Sequence, residues 1–230
     1  MKALTREASL KVFKKLSMTP NHVKYNKILQ DPRVVVSIAI GPAGSGKTLL
    51  PSAHAITSLL NKDIQKIIIT RPTITLEETL GHLPGDINKK MHPFMVPIFD
   101  HFKEYASWQS IQNYINNETI EICPFAYIRG RTFHNSWIIA DEVQNTSVNQ
   151  MKSLLTRIGQ NSKISMTGDL DQCDVLQPYG ASTYENGLAH FVRKLAKHPQ
   201  ELESIKVVEF DEGDIMRSKI VKEILDVYKD

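Results

Sequence analysis

The sequence predicts an α/β fold, a mostly parallel central sheet with helices on both faces in a three-layer sandwich. Three observations predict it. Short apolar runs rich in β-branched residues alternate with longer stretches of helical period, as at residues 34–40 (VVVSIAI), Lys66–Thr70 (KIIIT) and Ser136–Ala140 (SWIIA). These runs are apolar at nearly every position, which is what strands buried on both faces require. The first run feeds directly into Gly41-Pro42-Ala43-Gly44-Ser45-Gly46-Lys47-Thr48, and a helical pattern follows at once.

Taken in order, residues 1–17 interleave Lys2, Arg6, Lys11, Lys14 and Lys15 with Leu4, Ala8, Val12, Phe13 and Leu16. That is the pattern of a basic amphipathic helix docked on a core with its charged face in water. With its lead-in it occupies residues 1–30, ahead of a single domain over 31–230. Residues 34–40 form the first strand and 48–60 the helix after the glycine-rich loop. Pro51 removes a donor early in that helix and predicts a distorted first turn. Residues 66–70 form the second strand.

From Arg71 to Thr132 the pattern is irregular. Gly81-His82-Leu83-Pro84-Gly85-Asp86 reads as a turn, and residues 91–105 as an aromatic-rich helix interrupted by Pro93 and Pro97. This predicts a helical insertion around residues 84–118, with Phe94, Phe99, Phe102, Tyr105 and Trp108 as its own packing. Residues 119–122 and 127–128 are strand-like. After the core strand at 136–140 comes a helix over 147–158, capped by Thr146 or Ser147, and a strand over 163–167. Residues 184–197, 205–210 and 215–228 give a helix–strand–helix ending.

Composition bounds the function. A chain of 230 residues, 41% hydrophobic and 23% charged, holds one α/β core and is short for two. The net charge of +3, from 28 basic and 25 acidic side chains, is too small to imply a nucleic-acid partner without local placement. Cys123 and Cys173 form no C-x-x-C pattern, which argues against a disulfide framework or a zinc site. No apolar run reaches membrane-span length and no secretory core precedes residue 30, so no membrane partner and a cytoplasmic location are expected.

The glycine-rich segment matches G-x-x-x-x-G-K-[ST] at every required position. Its three glycines let successive backbone N–H groups converge on a phosphate, and the helix that starts near Gly46 and carries Leu49 turns its positive end toward the anion. Lys47 reaches the β- and γ-phosphates of a nucleotide such as ATP, and Thr48 offers a hydroxyl to Mg²⁺. At the end of the strand at 136–140 stand Asp141, for Mg²⁺ or its water, and Glu142, a general base for an attacking water. Gln144 completes a D-E-V-Q run. Gln172, after the strand at 163–167, is placed to sense a γ-phosphate through its amide.

Four stretches, IGPAGSGKT, TRP with GHLPGD, YIRGRTFHNSWIIADEVQN and MTGDLDQCD, resemble the PhoH-like P-loop ATPases, in the versions carried by bacteriophages. A fifth, running from Asp214 through Arg217 to Val221, is similar to that family's arginine motif. The resemblance covers most of residues 20–228 and implies a RecA-like P-loop NTPase core, like the first motor domain of superfamily-one helicases. By that likeness Gln144 couples the nucleotide to a nucleic-acid face, Gln172 contacts the γ-phosphate, and Arg217 is an arginine finger in its own or a neighbouring site. Arg71 lies where helicases touch the strand backbone, and Arg129 and Arg131 are phosphate contacts for RNA or a neighbouring protomer. Many relatives carry a glutamine that reads adenine before the first strand, and His22 occupies that place.

The resemblance thus implies Mg²⁺-dependent ATP hydrolysis coupled to RNA or single-stranded nucleic acid, in a homo-oligomer that is often a hexamer. The alternatives are a small-molecule kinase, which fits D-E-x-Q and G-D-x-x-Q poorly, and an ATP-dependent protein-remodelling oligomer without nucleic acid. A guanine-nucleotide switch lacks its N-K-x-D element, since Asn61-Lys62-Asp63 is misspaced and Asn88-Lys89-Lys90-Met91 has no Asp.

Overall fold

Apolar runs that bury both faces of a strand assemble here into one sheet. The computed structural model describes residues 18–72, 87–172, 186–200 and 202–216, with positions 220 and 227. The strands are β1 (Val36–Ile40), β2 (Lys66–Thr70), β3 (Ile120–Ile122), β4 (Ser136–Ala140), β5 (Lys163–Gly168) and β6 (Ile205–Glu209). They lie in the order β3-β2-β4-β5-β1-β6, and every pairing is parallel. The helices are α1 (Pro20–Gln30), α2 (Leu49–Leu60), α3 (Ile87–Lys103), α4 (Trp108–Asn116), α5 (Val148–Leu155) and α6 (Gly187–Ala196).

The two-residue period of the strands divides the core into two clusters. Ala39, Ile67, Ile69, Trp137, Ile139 and Val208 pack on one face with Tyr25, Leu29, Leu50, Ile56, Phe99 and Phe102 from α1, α2 and α3. Ile38, Ile68, Ile138, Ala140, Ile164 and Met166 pack on the other with Met151, Leu154 and Leu188 from α5 and α6. The result is the three-layer α/β sandwich expected, with its sheet wholly parallel among the described residues.

Several local expectations are corrected. Pro93 and Pro97 do not interrupt α3, which runs continuously through both. Each interior proline costs about 3 kcal/mol of helix stability. Fully buried Met91, Met95, Ile98, Phe99 and Phe102 lie at helical spacing and offset that cost by packing. Residues 127–128 are not a strand. Pro124 starts a 3-10 turn over Phe125–Tyr127, closed by the Tyr127 N–H on the Pro124 carbonyl at 2.9 Å. Pro51 falls in the first turn of α2, where N–H groups have no intrahelical partner, and the bonds from Leu50 to Gly46 and Ser52 to Thr48 persist at 3.4 and 3.2 Å. The lead-in before β1 is itself a helix, α1, opened by a Thr19 cap and Pro20. Expectations for residues 1–17 and 81–86, for Cys173 and Arg217, and for most of the closing helix fall outside the described residues.

What positions the site is the common direction of the strands. Gly41, Arg71, Asp141, Asp169 and Phe210 all follow carboxyl ends on one edge of the sheet, the edge where open α/β sheets bind ligands. β5 separates β1 from β4, so the tip of β5 bridges the phosphate loop and the paired carboxylates.

Candidate functional site

At this edge a cavity of about 460 Å³ is lined by Lys47, Thr48, Arg71, His101, Asp141 and Glu142, and farther round by Gly168, Gln172 and Met216. The loop between β1 and α2 follows an unusual path, with φ of 143° at Gly41, 85° at Gly44 and 77° at Gly46. At Gly41 a Cβ would stand 2.3 Å from the Phe210 carbonyl, so glycine is required on two counts. The Lys47 ammonium folds back on the loop and donates to the carbonyls of Gly41 at 2.5 Å and Pro42 at 2.6 Å.

Across the cavity, Asp141 is buried and anchors three elements. Its Oδ1 accepts from the hydroxyls of Thr48 (2.9 Å) and Thr167 (2.5 Å), and its Oδ2 lies 3.8 Å from Arg71 Nη1. Thr48 and Asp141 therefore present hard oxygen donors side by side at the mouth of the loop, a donor set that suits Mg²⁺. Glu142 is held in the left-handed region at φ 55°, an arrangement that costs a non-glycine residue about 1–3 kcal/mol and persists where surrounding contacts dictate it. Those contacts are Gln144 Nε2 donating to Glu142 Oε2 at 2.6 Å and Arg71 Nη2 at 3.6 Å from Oε1. The Gln144 Oε1 accepts the Asp169 N–H at 3.2 Å, which ties the β4 tip to the β5 tip.

A parallel sheet, a phosphate loop after β1 and paired carboxylates after β4, with β5 inserted between those two strands, make this fold a RecA-like P-loop sandwich. The family model for PhoH-like proteins matches residues 16–229. The chain belongs to the PhoH-like family. It is 36% identical over 194 residues to a PhoH-like protein of Synechocystis sp., covering 84% of this chain and 56% of that one. It is 37% identical over 210 residues to a PhoH-like protein of Mycobacterium tuberculosis (91% and 56%) and 36% over 215 residues to Protein PhoH of Escherichia coli K12 (93% and 58%). The chain thus spans little more than half the length of these bacterial relatives. Among solved structures, the Pif1 helicase from Candida albicans aligns at 18% identity with a TM-score of 0.44, over 92% of this chain and 43% of that one. No helix among the described residues is long and apolar enough to cross a membrane.

In this PhoH-like chain the structure brings Lys47, Thr48, Leu49, Asp141, Glu142 and Gln172 to one cavity. Gln144 stands beside them but is buried, with its amide turned inward. Arg71, placed by likeness near a strand backbone, is turned instead into the cavity. His22 is 1% exposed, and its ring lies under the phosphate loop. Its Nε2 meets the Ser45 carbonyl at 2.8 Å, and because a carbonyl only accepts, Nε2 carries the hydrogen. Its Nδ1 then accepts the Thr19 N–H at 3.1 Å, while the Thr19 hydroxyl donates to Asp214. Both ring nitrogens are thus engaged by protein.

Arg131 forms a paired contact with Glu121 and lies over the Phe133 ring, away from the cavity. Arg129 is exposed beyond the turn that follows β3. Sequence reasoning missed His101 and Met216. His101 reaches the cavity from α3, where burial pulls its pKa below the usual value against the raising effect of Asp100, Asp141 and Glu104. Met216 lines the cavity from the far end of the chain, its N–H donating to the Gly44 carbonyl at 3.0 Å. His101 belongs to no local motif, and Met216 lies in the arginine-motif stretch where only Arg217 stands out by its chemistry, so tertiary placement reveals them.

Proposed function

We propose that this chain hydrolyses ATP with Mg²⁺ and couples that hydrolysis to RNA or single-stranded nucleic acid, acting as a homo-oligomer in the cytoplasm. The observation that carries the reading is the meeting of Lys47, Thr48, Asp141, Glu142 and Gln172 around one cavity at the sheet edge. Lys47 exchanges the Gly41 and Pro42 carbonyls for β- and γ-phosphate oxygens. Mg²⁺, held by Thr48 and Asp141, supplies neutralising charge to the phosphates when bound. Glu142 accepts a proton from the attacking water, and Gln172 bonds the γ-phosphate. Arg217 serves as an arginine finger. Gln144 joins Glu142 to the Asp169 backbone, so a change at the γ-phosphate shifts the β5 tip, and this is the coupling route to a nucleic-acid face that includes Arg129. The hexamer rests on family likeness, and residues 31–230 act as one catalytic unit preceded by residues 1–30.

The test is steady-state phosphate release by purified protein with Mg²⁺-ATP, titrated with single-stranded RNA, with Glu142→Gln as the blank. Turnover should rise with RNA and fall by about 10²–10⁴-fold in the variant, the usual contribution of a general base. Turnover indifferent to RNA and DNA would leave the ATPase and sink the coupling.

A further inference from the structure

We propose that Arg71 is a catalytic residue whose guanidinium binds the γ-phosphate and neutralises charge during its transfer, rather than a contact to a nucleic-acid backbone. The assignment rests on the ATPase reading above and adds a cation that acts from within the same chain.

Three features of the fold put it there. Arg71 is the first residue beyond β2, and β2 pairs with β4 so that Thr70 lies beside Ala140. The Asp141 N–H donates to the Thr70 carbonyl at 3.0 Å, fixing the two strand tips together. An arginine at this position is therefore delivered beside the paired carboxylates by backbone register. Next, the two oxygens of Asp141 face different groups. Oδ1 is held by Thr48 and Thr167, while Oδ2 and the neighbouring Glu142 Oε1 face the guanidinium at 3.8 and 3.6 Å. Arg71 thus stands across Asp141 from Thr48 and next to the general base, where the γ-phosphate and its attacking water must meet.

Finally, the fork is positioned without being consumed. Its side chain is 27% exposed and lines the cavity, and its contacts with the carboxylates are loose, with a 3.5 Å bond from Nη1 to the Phe94 carbonyl of α3 as the anchor. Five N–H donors in a rigid fork give such a group capacity to spare for phosphate oxygens. The α3 helix, which the sequence presents only as an insertion, thereby acts as a backstop for the arginine.

In the reaction the water oxygen forms a bond to the γ-phosphorus as the bond from that phosphorus to the bridging oxygen breaks. The electron pair leaves on the β-phosphate of ADP, and the water proton passes to Glu142. Arg71 donates to the γ-oxygens throughout, exchanging its two carboxylate neighbours for them. That exchange leaves the Glu142 carboxylate free to face the attacking water.

The experiment compares wild type with Arg71→Ala and Arg71→Gln, the second keeping a polar group beside the carboxylates should the first fail to fold. Affinities for ADP and for the slowly hydrolysed analogue ATPγS are measured with Mg²⁺ by competition against a fluorescent nucleotide. Phosphate release and binding of a fluorescent single-stranded RNA are measured alongside. Wild type should prefer ATPγS to ADP, and both variants should lose about tenfold or more of that preference, the worth of hydrogen bonds to a charged group. Turnover should drop about a thousandfold, with ADP and RNA affinities within about threefold of wild type. An unchanged ATPγS preference overturns the assignment, and so does RNA affinity that falls while turnover persists. A wild type that discriminates ATPγS through Arg71 yet releases no phosphate would refute the ATPase reading while leaving the γ-phosphate contact in place.

Discussion

Replacing His22 with alanine tests whether this ring supports the phosphate loop or reads a base. The ring donates to the Ser45 carbonyl at 2.8 Å, and Nε2 would lie 3.1 Å from a Cβ built on Gly46, so it fits directly beneath the loop. It also packs against Phe210 with ring centroids 5.2 Å apart. Removing it deprives a buried carbonyl of its donor, which costs about 1–3 kcal/mol, and opens space beneath Gly46. At about 2–4 °C per kcal/mol for a chain of this size, a loss near 2 kcal/mol lowers the melting temperature by about 4–8 °C. The loop is then less ordered before phosphate binds, so affinities for ATP, GTP, CTP and UTP should all fall by about the same factor. Thermal melts and competition with a fluorescent nucleotide report the two effects separately. His22→Gln, which can return an amide donor to Ser45, should recover part of both. An unchanged melting temperature with affinity lost for ATP alone would refute the loop-support argument and restore the base-reading role.

Other expectations follow from contacts around the sheet. Gly41→Ala forces a left-handed φ on a residue whose Cβ would collide with the Phe210 backbone, and should destabilise by about 3 kcal/mol or more in a urea melt. Arg131→Ala removes the paired contact with Glu121, leaving Lys66 at 3.3 Å, and should lower stability by about 1 kcal/mol with phosphate release and RNA binding unaltered. His54, half-buried between α1 and the Trp137 ring, has its pKa pulled down from 6.5 to about 4, chiefly by desolvation and secondarily by Lys163. Because the unfolded chain takes up this proton first, the contribution is intact above about pH 6.5, lost progressively toward pH 4 and flat below. The loss is about 3 kcal/mol across that window. His54→Gln should flatten that part of a stability–pH curve measured by denaturant melts.

The parts of the fold that are legible in sequence are those whose causes are local. β1, β2 and β4 are nearly continuous apolar runs because a parallel sheet covered on both faces leaves no polar side, and the phosphate loop is fixed by spacing alone. Asp141 and Glu142 are legible because a strand end must precede them. α1 is harder to see, since its buried face is His22, Tyr25 and Leu29, a mixture with little apolar contrast against Lys24 and Lys27. Arg71 could be placed after a strand but not in the cavity, because its position depends on β2 pairing with β4 across a long segment. The pairing of Arg131, expected as a phosphate contact, with Glu121 is not legible because Glu121 reads only as part of a short strand.

The side chains around the cavity form a connected resting network. Lys47 is bonded to loop carbonyls, Thr48 to Asp141, Gln144 to Glu142, and Arg71 is balanced between two carboxylates. On the function proposed above, Lys47, Thr48 and Arg71 must leave protein partners to meet a triphosphate and its cation, so binding is an exchange of contacts rather than the filling of an idle site. An exchange favours the ligand that replaces the most contacts at once. A diphosphate can take Lys47 from its carbonyls but has no oxygens to offer Arg71, which stays with Asp141 and Glu142. On that proposal a triphosphate would free both carboxylates, one to face the cation and the other to act on water. The same arginine that holds the pair in the resting state thus makes their release depend on the γ-phosphate. Because Glu142 is bonded through Gln144 to the Asp169 backbone, that release is felt at the β5 tip.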